Sequence, residues 1–83
     1  MPLFMDVHDS LPKGATADDV AQAHMADLAT QERYGVRYLN YWADAEGGKV
    51  FWLVEAPDAD KAMTVHKEAH GLVADAIYPV VQG

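Results

Sequence analysis

The stretch of sequence that decides the fold is VRYLNYWADAEGGKVFWLVE, residues 36–55. Its two ends, 36–43 and 50–55, are rich in aromatic and β-branched residues, which are typical of β-strands. The residues between them, Asp44–Gly48, combine carboxylates with two adjacent glycines, a composition that favours the turn of a hairpin. The sequence therefore predicts a pair of antiparallel strands in the middle of the chain.

A helix is predicted on the N-terminal side of this hairpin. Thr16 and Asp19 have the spacing of a capping box, in which each side chain binds a backbone amide at the start of a helix. The helix is expected to continue to about Glu32, because Gly35 is a natural stop at a helix C-terminus. Before it, Leu3–Asp9 shows the two-residue alternation of a strand.

A second helix and a last strand are predicted on the C-terminal side. Ala56–Asp58 interrupts the preceding strand with a proline and supplies an aspartate that can cap a helix. That helix is expected to run to about His70, just before Gly71. Ala76–Val81 is predicted as a short strand, and Pro79 within it, which has no amide donor, indicates a sheet edge or a bulge.

The order strand, helix, strand, strand, helix, strand predicts an α+β fold of the ferredoxin-like βαββαβ type. In it, two helices cover one face of a four-stranded antiparallel sheet. The 83 residues are enough for one such domain only. The uncovered face is expected to carry aromatic side chains, selected by the strand register from Tyr38, Tyr41, Trp42, Phe51 and Trp52. Such a face favours a homodimer that pairs the sheets of two copies.

Composition narrows the classes of function. With 13 acidic and 6 basic side chains the net charge is −7, which repels phosphate backbones, so nucleic acid is not an expected partner. The absence of cysteine excludes disulfides, thiolate metal sites and cysteine catalysis. No apolar stretch approaches the roughly 18 residues that span a bilayer, and the first residues do not resemble a signal peptide. A cytoplasmic protein without a membrane partner is therefore expected.

Two of the four histidines, His66 and His70, lie four residues apart on the predicted second helix. Side chains at this spacing are neighbours, so the pair can chelate a metal ion without other elements. Solvated histidines that favour the negative end of the helix dipole are an equally good interpretation. Lys67 follows the first histidine, so the H-E-x-x-H motif of zinc proteases is absent.

His24 lies near the middle of the apolar side predicted for the first helix. That side consists of Ala17, Val20, Ala21, Met25 and Leu28. A core histidine hydrogen-bonded to a carbonyl or carboxylate is the simpler interpretation, because a buried imidazole needs partners. Asp27, three residues later, can share a surface with His24, so the two can serve as two metal ligands or as a ligand and its orienting carboxylate.

Asp6 and His8 alternate with Met5 and Val7 in the first strand and therefore share one face of it. If the two apolar residues face the helices, Asp6 and His8 lie on the open face beside the aromatics, where a second subunit can complete a site. A histidine exposed at the end of a strand is the alternative. Glu55, at the end of the third strand, is a further candidate carboxylate.

Several segments, in collinear order over nearly the whole chain, resemble a family of small nickel-responsive, nickel-binding proteins found mostly in bacteria. These segments are FMDVH (4–8), AHMADLATQ (23–31), WAD (42–44), EAP (55–57), the run from His66 to Gly71, and AD (74–75). The chain departs from the family pattern at Trp52, where a cysteine is frequent, and at Val73, where a proline is common.

The resemblance implies a ferredoxin-like fold, a homodimer, and nickel bound by histidine together with oxygen ligands. These implied roles transfer most directly to His8, His24 and His66. The matching carboxylates are Asp6, Asp27 and Glu55. His70 is a candidate only through its spacing from His66.

The resulting hypothesis is a nickel-binding protein, not an enzyme, that buffers or sequesters the ion or takes part in a nickel response. Imidazole and carboxylate ligands also suit Zn²⁺, Cu²⁺ and Co²⁺, so selectivity for Ni²⁺ has to come from geometry. Fold-level analogy gives a competing hypothesis, a binding module for a small organic ligand or a cofactor-free oxygenase or isomerase, with Asp6 and His8 lining an apolar pocket. A third is an interaction module whose histidines bind metal fortuitously.

Overall fold

A computed structural model describes residues 1–83 of the chain. Its elements are β1 Leu3–His8, α1 Ala17–Thr30, a 3₁₀ turn Gln31–Tyr34, β2 Arg37–Asp44, β3 Lys49–Glu55, α2 Ala59–Ala69 and β4 Ala76–Val80. The four strands form one antiparallel sheet in the order β2-β3-β1-β4, and the two helices pack against each other over one of its faces. The predicted ferredoxin-like fold is confirmed.

The signals that delimit the helices act as predicted. The hydroxyl of Thr16 accepts a hydrogen bond from the Asp19 amide at 3.2 Å, and the Asp19 carboxylate accepts one from the Thr16 amide at 2.9 Å. Asp58 caps α2 by accepting a hydrogen bond from the Lys61 amide at 2.8 Å. The first helix ends earlier than predicted, at Thr30, because the last residues before Gly35 tighten into the 3₁₀ turn.

An irregularity in β2 decides which aromatic side chains lie on which face of the sheet. Tyr38 pairs with Val54 and Tyr41 pairs with Trp52, so the register shifts by one residue between them. Because Val54 and Trp52 both point toward the helices, Tyr38 and Tyr41 do so as well. Trp42 is consequently on the open face, opposite Phe51.

The hydrophobic core lies between the sheet and the helices. Its buried side chains are Val20, Ala23, Val36, Tyr38, Val50, Trp52, Val54, Ala56, Ala62 and Val65. Pro79 belongs to β4, an edge strand, as its missing amide donor indicates. None of the helices has the length and the apolar character needed to cross a membrane.

The first helix is rotated relative to the prediction. Met25 and Leu28, expected to face the core, are 68% and 45% exposed, whereas Val20, Ala23 and Asp27 are buried. The expectation was wrong because it counted apolar side chains alone. Asp27 contacts His66 on α2 and His70 at the end of that helix, and these interactions outweigh the burial of two apolar side chains.

The open face of the sheet is largely apolar. Met5 lies at its centre, paired with Leu53 on one side and Tyr78 on the other. Tyr78 is 55% exposed and Trp42 is 54% exposed. Large aromatic side chains are therefore presented to solvent on the side of the sheet that no helix covers.

Candidate metal centre

Asp6 and His8 point into the space between the sheet and the helices, not onto the open face. Both residues are buried. The expectation that they share the open face with aromatic side chains was wrong. Polar groups can be buried when they find partners: Asp6 pairs with His66 on α2 and His8 pairs with Asp6, while Met5 and Val7 take the open side of the strand.

His66 on α2 is the centre of the polar cluster. Its Nδ1 lies 2.9 Å from Oδ1 of Asp27, and its Nε2 lies 2.9 Å from Oδ2 of Asp6. Burial alone would lower the pKa of His66, but its interactions with the Asp27 and Asp6 carboxylates outweigh burial and raise this pKa to about 9. Without a metal ion, His66 is therefore an imidazolium held between two carboxylates.

The two carboxylates respond in the opposite direction. Burial acts to raise the pKa of Asp6 and of Asp27, but hydrogen bonds and charge interactions with the neighbouring histidines prevail and lower both pKa values. Both side chains are therefore ionised at neutral pH although they are fully buried. The cluster thus holds two buried negative charges against the one positive charge of His66, and the surplus negative charge suits a cation.

Asp6, His8 and His66 form the first group of potential ligands, with one ligand atom from each lying within 4.8 Å of the others. Nε2 of His8 is 3.2 Å from Oδ1 of Asp6. Because Oδ2 of Asp6 faces His66, the two oxygens of this carboxylate face different imidazoles. Tyr38 supports the group: its hydroxyl lies 3.0 Å from Oδ2 of Asp6, and its ring stacks on His66.

Asp27, His66 and His70 form the second group. Oδ1 of Asp27 lies 2.9 Å from Nδ1 of His66 and 3.0 Å from Nε2 of His70, and the two nitrogens are 3.0 Å apart. The backbone N–H of Leu72 donates a hydrogen bond to Nδ1 of His70 at 3.1 Å. That bond requires a lone pair on Nδ1, so a neutral His70 carries its proton on Nε2, which faces both Nδ1 of His66 and Oδ1 of Asp27.

Two buried atoms of the cluster have no hydrogen-bond partner, Nε2 of His66 and Oδ2 of Asp27. The 2.9 Å contact of His66 Nε2 with Asp6 is thus an ion pair whose alignment does not satisfy a hydrogen bond. Buried unpaired polar atoms are costly and rare, and where they occur they call for a functional explanation. Both atoms are of the kind that coordinates transition metals, so the residues present fit such an ion.

His24 and Glu55 lie outside both groups. Nδ1 of His24 accepts a hydrogen bond from the Trp52 indole N–H at 3.1 Å, and burial lowers the pKa of His24, which keeps the ring neutral. Glu55, at the end of β3, forms an ion pair with Arg37 at 3.4 Å. Of the residues singled out in the sequence, the fold brings together Asp6, His8, Asp27, His66 and His70.

Sequence reasoning missed Tyr38 and Trp52 as parts of the centre. Trp52 is fully buried, and its ring lies 5.1 Å from that of His8, 4.6 Å from His66 and 6.1 Å from His70. The aromatic run in residues 36–55 predicted strands, but the face of each side chain depended on the irregularity in β2. Trp52 shares its face of β3 with Val50 and Val54, whereas the other face carries Lys49 and Glu55, and this contrast was a usable signal that Trp52 faces inward.

The surface has two depressions, and neither is lined by the clustered residues. One, of about 280 Å³, lies beside the start of α1 and is lined mainly by apolar side chains such as Leu11 and Leu72. The other, of about 360 Å³, lies along the outer side of α2 near Met63. An organic substrate would require an apolar cavity with a polar group inside it. The buried cluster is instead compact and closed.

Comparisons with known proteins agree with this picture. A family model described as nickel responsive protein SCO4226-like matches residues 4–80. The crystal structure of SCO4226 from Streptomyces coelicolor A3(2) is 40% identical in sequence and superposes with a TM-score of 0.88, covering 98% of each chain. Among curated proteins, no relative matches. The match over nearly the whole chain shows that this protein belongs to the family of SCO4226-like nickel-responsive proteins.

Proposed function

We propose that the protein sequesters nickel, binding Ni²⁺ between Asp6, His8 and Nε2 of His66. The observation that carries this proposal is the buried Nε2 of His66, which faces an aspartate and lies near a second histidine but has no hydrogen-bond partner. The description of the family as nickel responsive supports the choice of metal. The proposed ligand set is narrower than the sequence-based one, because it omits His24, Asp27, Glu55 and His70.

The protons around His66 support ligation through Nε2. Nδ1 of His66 lies 2.9 Å from Oδ1 of Asp27, and because a carboxylate oxygen can only accept, this nitrogen keeps its proton. When His66 gives up one proton, the lone pair is therefore expected on Nε2, on the side of Asp6 and His8. A ligating imidazole whose other N–H is bound by a carboxylate is the usual arrangement in metal sites, and Asp27 supplies that carboxylate.

The choice of nickel over related ions depends on coordination number. Two imidazoles and a carboxylate suit Cu²⁺, Zn²⁺ and Co²⁺ as well, and intrinsic affinity favours copper. Three protein groups leave positions for water in a six-coordinate ion, whereas zinc favours four ligands. The two oxygens of Asp6 add a further possible ligand atom on the same side of His66.

Sequestration explains the closed form of the cluster better than catalysis does. The clustered side chains are buried, with the exception of His70, whose side chain is 10% exposed. An enzyme that activates a substrate on a metal has to leave room for that substrate beside the ion. A protein that only retains the ion has no such requirement.

A homodimer is a second part of the proposal. Trp42 and Tyr78 are exposed on the open sheet face, with the partly buried Met5 and Phe51 among them. An apolar aromatic face of this kind is typical of the buried centre of an interface, and Trp and Tyr are its most effective anchors. Two copies that pair these faces would cover them while leaving the metal centre on the opposite side of each sheet.

Calorimetric titration of the metal-free protein with Ni²⁺ tests the metal site. We expect tight binding, and we expect its tightest equivalent to be lost in His8→Ala and in Asp6→Asn. Glu55→Gln is the matched control, because it alters a carboxylate outside the cluster and should leave the titration unchanged. Nickel binding that is unchanged in His8→Ala and Asp6→Asn would show that the ion binds elsewhere and would overturn the proposal.

A further inference from the structure

We propose that His24 is a positioning residue of the candidate metal centre that acts through Trp52. It holds the buried indole in the orientation that fixes the imidazole rings of His8 and His66. Both rings are ligands under the proposed function, on which this inference rests. His24 itself belongs to neither of the two ligand groups, and its Nδ1 accepts the indole N–H of Trp52 at 3.1 Å. Its role is therefore indirect.

The indole of Trp52 packs against both imidazoles of the proposed site. The ring centroid of Trp52 lies 5.1 Å from that of His8 and 4.6 Å from that of His66, with interplanar angles of 69° and 62°. Trp52 is fully buried and also packs against the rings of Tyr38 and Tyr41. In a closely packed interior, a rotation of so large a ring has to displace the rings beside it. The orientation of Trp52 therefore determines the planes in which the two imidazoles lie.

His8 depends on this packing more than His66 does. His66 has a carboxylate at each ring nitrogen, Asp27 at Nδ1 and Asp6 at Nε2. The side chain of His8 has a single hydrogen-bond contact, between its Nε2 and Asp6. Metal-bound imidazoles are usually oriented by a polar group on the nitrogen that does not bind the ion. For His8, the ring of Trp52 takes the place of such a group.

The indole N–H is the group through which His24 controls Trp52. A buried indole N–H usually has an acceptor, because leaving it unpaired is costly. Nδ1 of His24 is that acceptor, and the His24 ring is itself held by the ring of Tyr41, with the two centroids 4.9 Å apart. Without the acceptor, the indole is expected to turn toward another partner. The imidazoles that pack against it would then turn as well.

The same hydrogen bond opposes direct ligation of an ion by His24. Because Nδ1 accepts the indole N–H, the lone pair on this nitrogen is in use and the neutral ring carries its proton on Nε2. Coordination through either nitrogen would require the ring to move that proton or to release Trp52. A supporting role preserves both the hydrogen bond and the tautomer.

Calorimetric titration of two His24 variants with Ni²⁺ tests the positioning role. His24→Asn places an amide oxygen close to the position of Nδ1 and can still accept from the indole, whereas His24→Leu fills similar space without an acceptor. We expect His24→Leu to weaken nickel binding about 10-fold to 100-fold, as loss of a group that orients ligands typically does, and His24→Asn to retain most of the affinity. In Trp52→Phe, which lacks the indole N–H, adding His24→Leu should have no further effect. Gln22→Leu, on the exposed side of α1, is the matched control and should leave the titration unchanged.

The wild-type protein supplies a second test, which does not depend on the folding of any variant. NMR of the isotope-labelled imidazole nitrogens, in the metal-free protein and after addition of Zn²⁺ as a diamagnetic probe, locates the proton on each ring. His24 should keep its proton on Nε2 in both states, while the resonances of His8 and His66 should change. A His24 ring that loses or moves this proton when Zn²⁺ binds would be a ligand, and the positioning role would be overturned.

Different outcomes separate this inference from the proposed function. Equal losses of affinity in His24→Asn and His24→Leu, or no loss in either, would overturn the positioning role. If His8→Ala still abolishes tight binding in that case, the proposed function stands. Nickel binding that survives both His8→Ala and Asp6→Asn would instead overturn the proposed function itself.

Discussion

The side of the sheet that the helices cover carries charged groups, and the side open to solvent carries apolar ones. On the covered side, Asp6 and His8 are buried with His66 above them. On the open side, Trp42 and Tyr78 are more than half exposed. Soluble domains usually bury apolar groups and expose charges. The reversal fits the two proposals, a cation bound on one side and a second copy of the chain on the other.

Removal of His66 should have the largest effect on the covered side, because it takes away the imidazolium that lies between two buried carboxylates. We expect His66→Ala to lower the free energy of unfolding of the metal-free protein by about 3–5 kcal/mol, the usual consequence of breaking a buried ion pair. Urea denaturation measures this difference. Replacing both carboxylates as well, by Asp6→Asn and Asp27→Asn, should recover part of the loss. A loss well under 1 kcal/mol in His66→Ala would mean that the carboxylates are not charged in the folded protein.

A rise in pH should reduce the stability that the buried cluster on the covered side of the sheet contributes. The open side should be unaffected. The pKa of His66 is raised from 6.5 to about 9 in the folded protein, so its contribution is fully present below about pH 6.5 and is lost as the pH rises through 9. The shift corresponds to about 3 kcal/mol of unfolding free energy in the metal-free protein. Urea denaturation at several pH values measures this loss. His66→Gln is the control, and its free energy of unfolding should not show this dependence on pH.

Nickel affinity should change in the opposite direction over the same pH interval. Because the ion replaces a proton on His66, affinity should increase as the pH rises toward 9. Calorimetric titrations at pH 6, 7 and 8 compare the values. An affinity that does not vary with pH would show that His66 is not a ligand.

A charge on the open face should dissociate the proposed dimer without affecting the candidate metal centre. Trp42→Glu places a carboxylate at an aromatic anchor, and truncation or replacement of such anchors typically costs about 2 kcal/mol or more of association free energy. Sedimentation equilibrium measures the dissociation constant, and nickel titration of the same variant should match the wild-type protein. A wild-type protein that sediments as a monomer would contradict the proposed dimer.

Tyr38→Phe should produce the smallest change of this series. The variant removes the hydroxyl that lies near Asp6 and the Ala62 carbonyl, with an expected loss of about 1 kcal/mol of stability. Groups that support metal ligands typically affect affinity about 10-fold to 100-fold, so nickel binding should weaken by a similar factor. Tyr34→Phe is the matched control, because the Tyr34 hydroxyl binds the exposed Glu68 on the surface. Equal stability and equal nickel affinity of the two variants would show that Tyr38 does not support the metal ligands.

The sequence predicted the fold because its signals are local. The capping box at Thr16, the glycines in the turn at 44–48 and the cap at Asp58 each act within a few residues. The choice of faces is not local. Met5 and Val7 alternate with Asp6 and His8, and only the position of His66, far along the chain, decides which pair points inward.

The same distinction applies to the site. The i,i+4 spacing indicated that His66 and His70 are neighbours, and they are. The association of Asp27 with both depends on how α1 is rotated against α2, which the pattern of apolar residues in α1 did not predict. Tyr38 reached the centre through the register shift in β2, for which the sequence contains no glycine or proline marker.

The two tryptophans of the chain lie one on each side of the sheet, Trp52 among the histidines and Trp42 on the open face. The protein therefore carries two intrinsic fluorophores in contrasting surroundings. Indole emission from the dry interior lies at shorter wavelength than emission from water-exposed indole. Paramagnetic ions such as Ni²⁺ or Cu²⁺ quench a neighbouring indole. A single unlabelled emission spectrum can thus follow metal loading through the blue component, and association of the subunits through a blue shift of the red one.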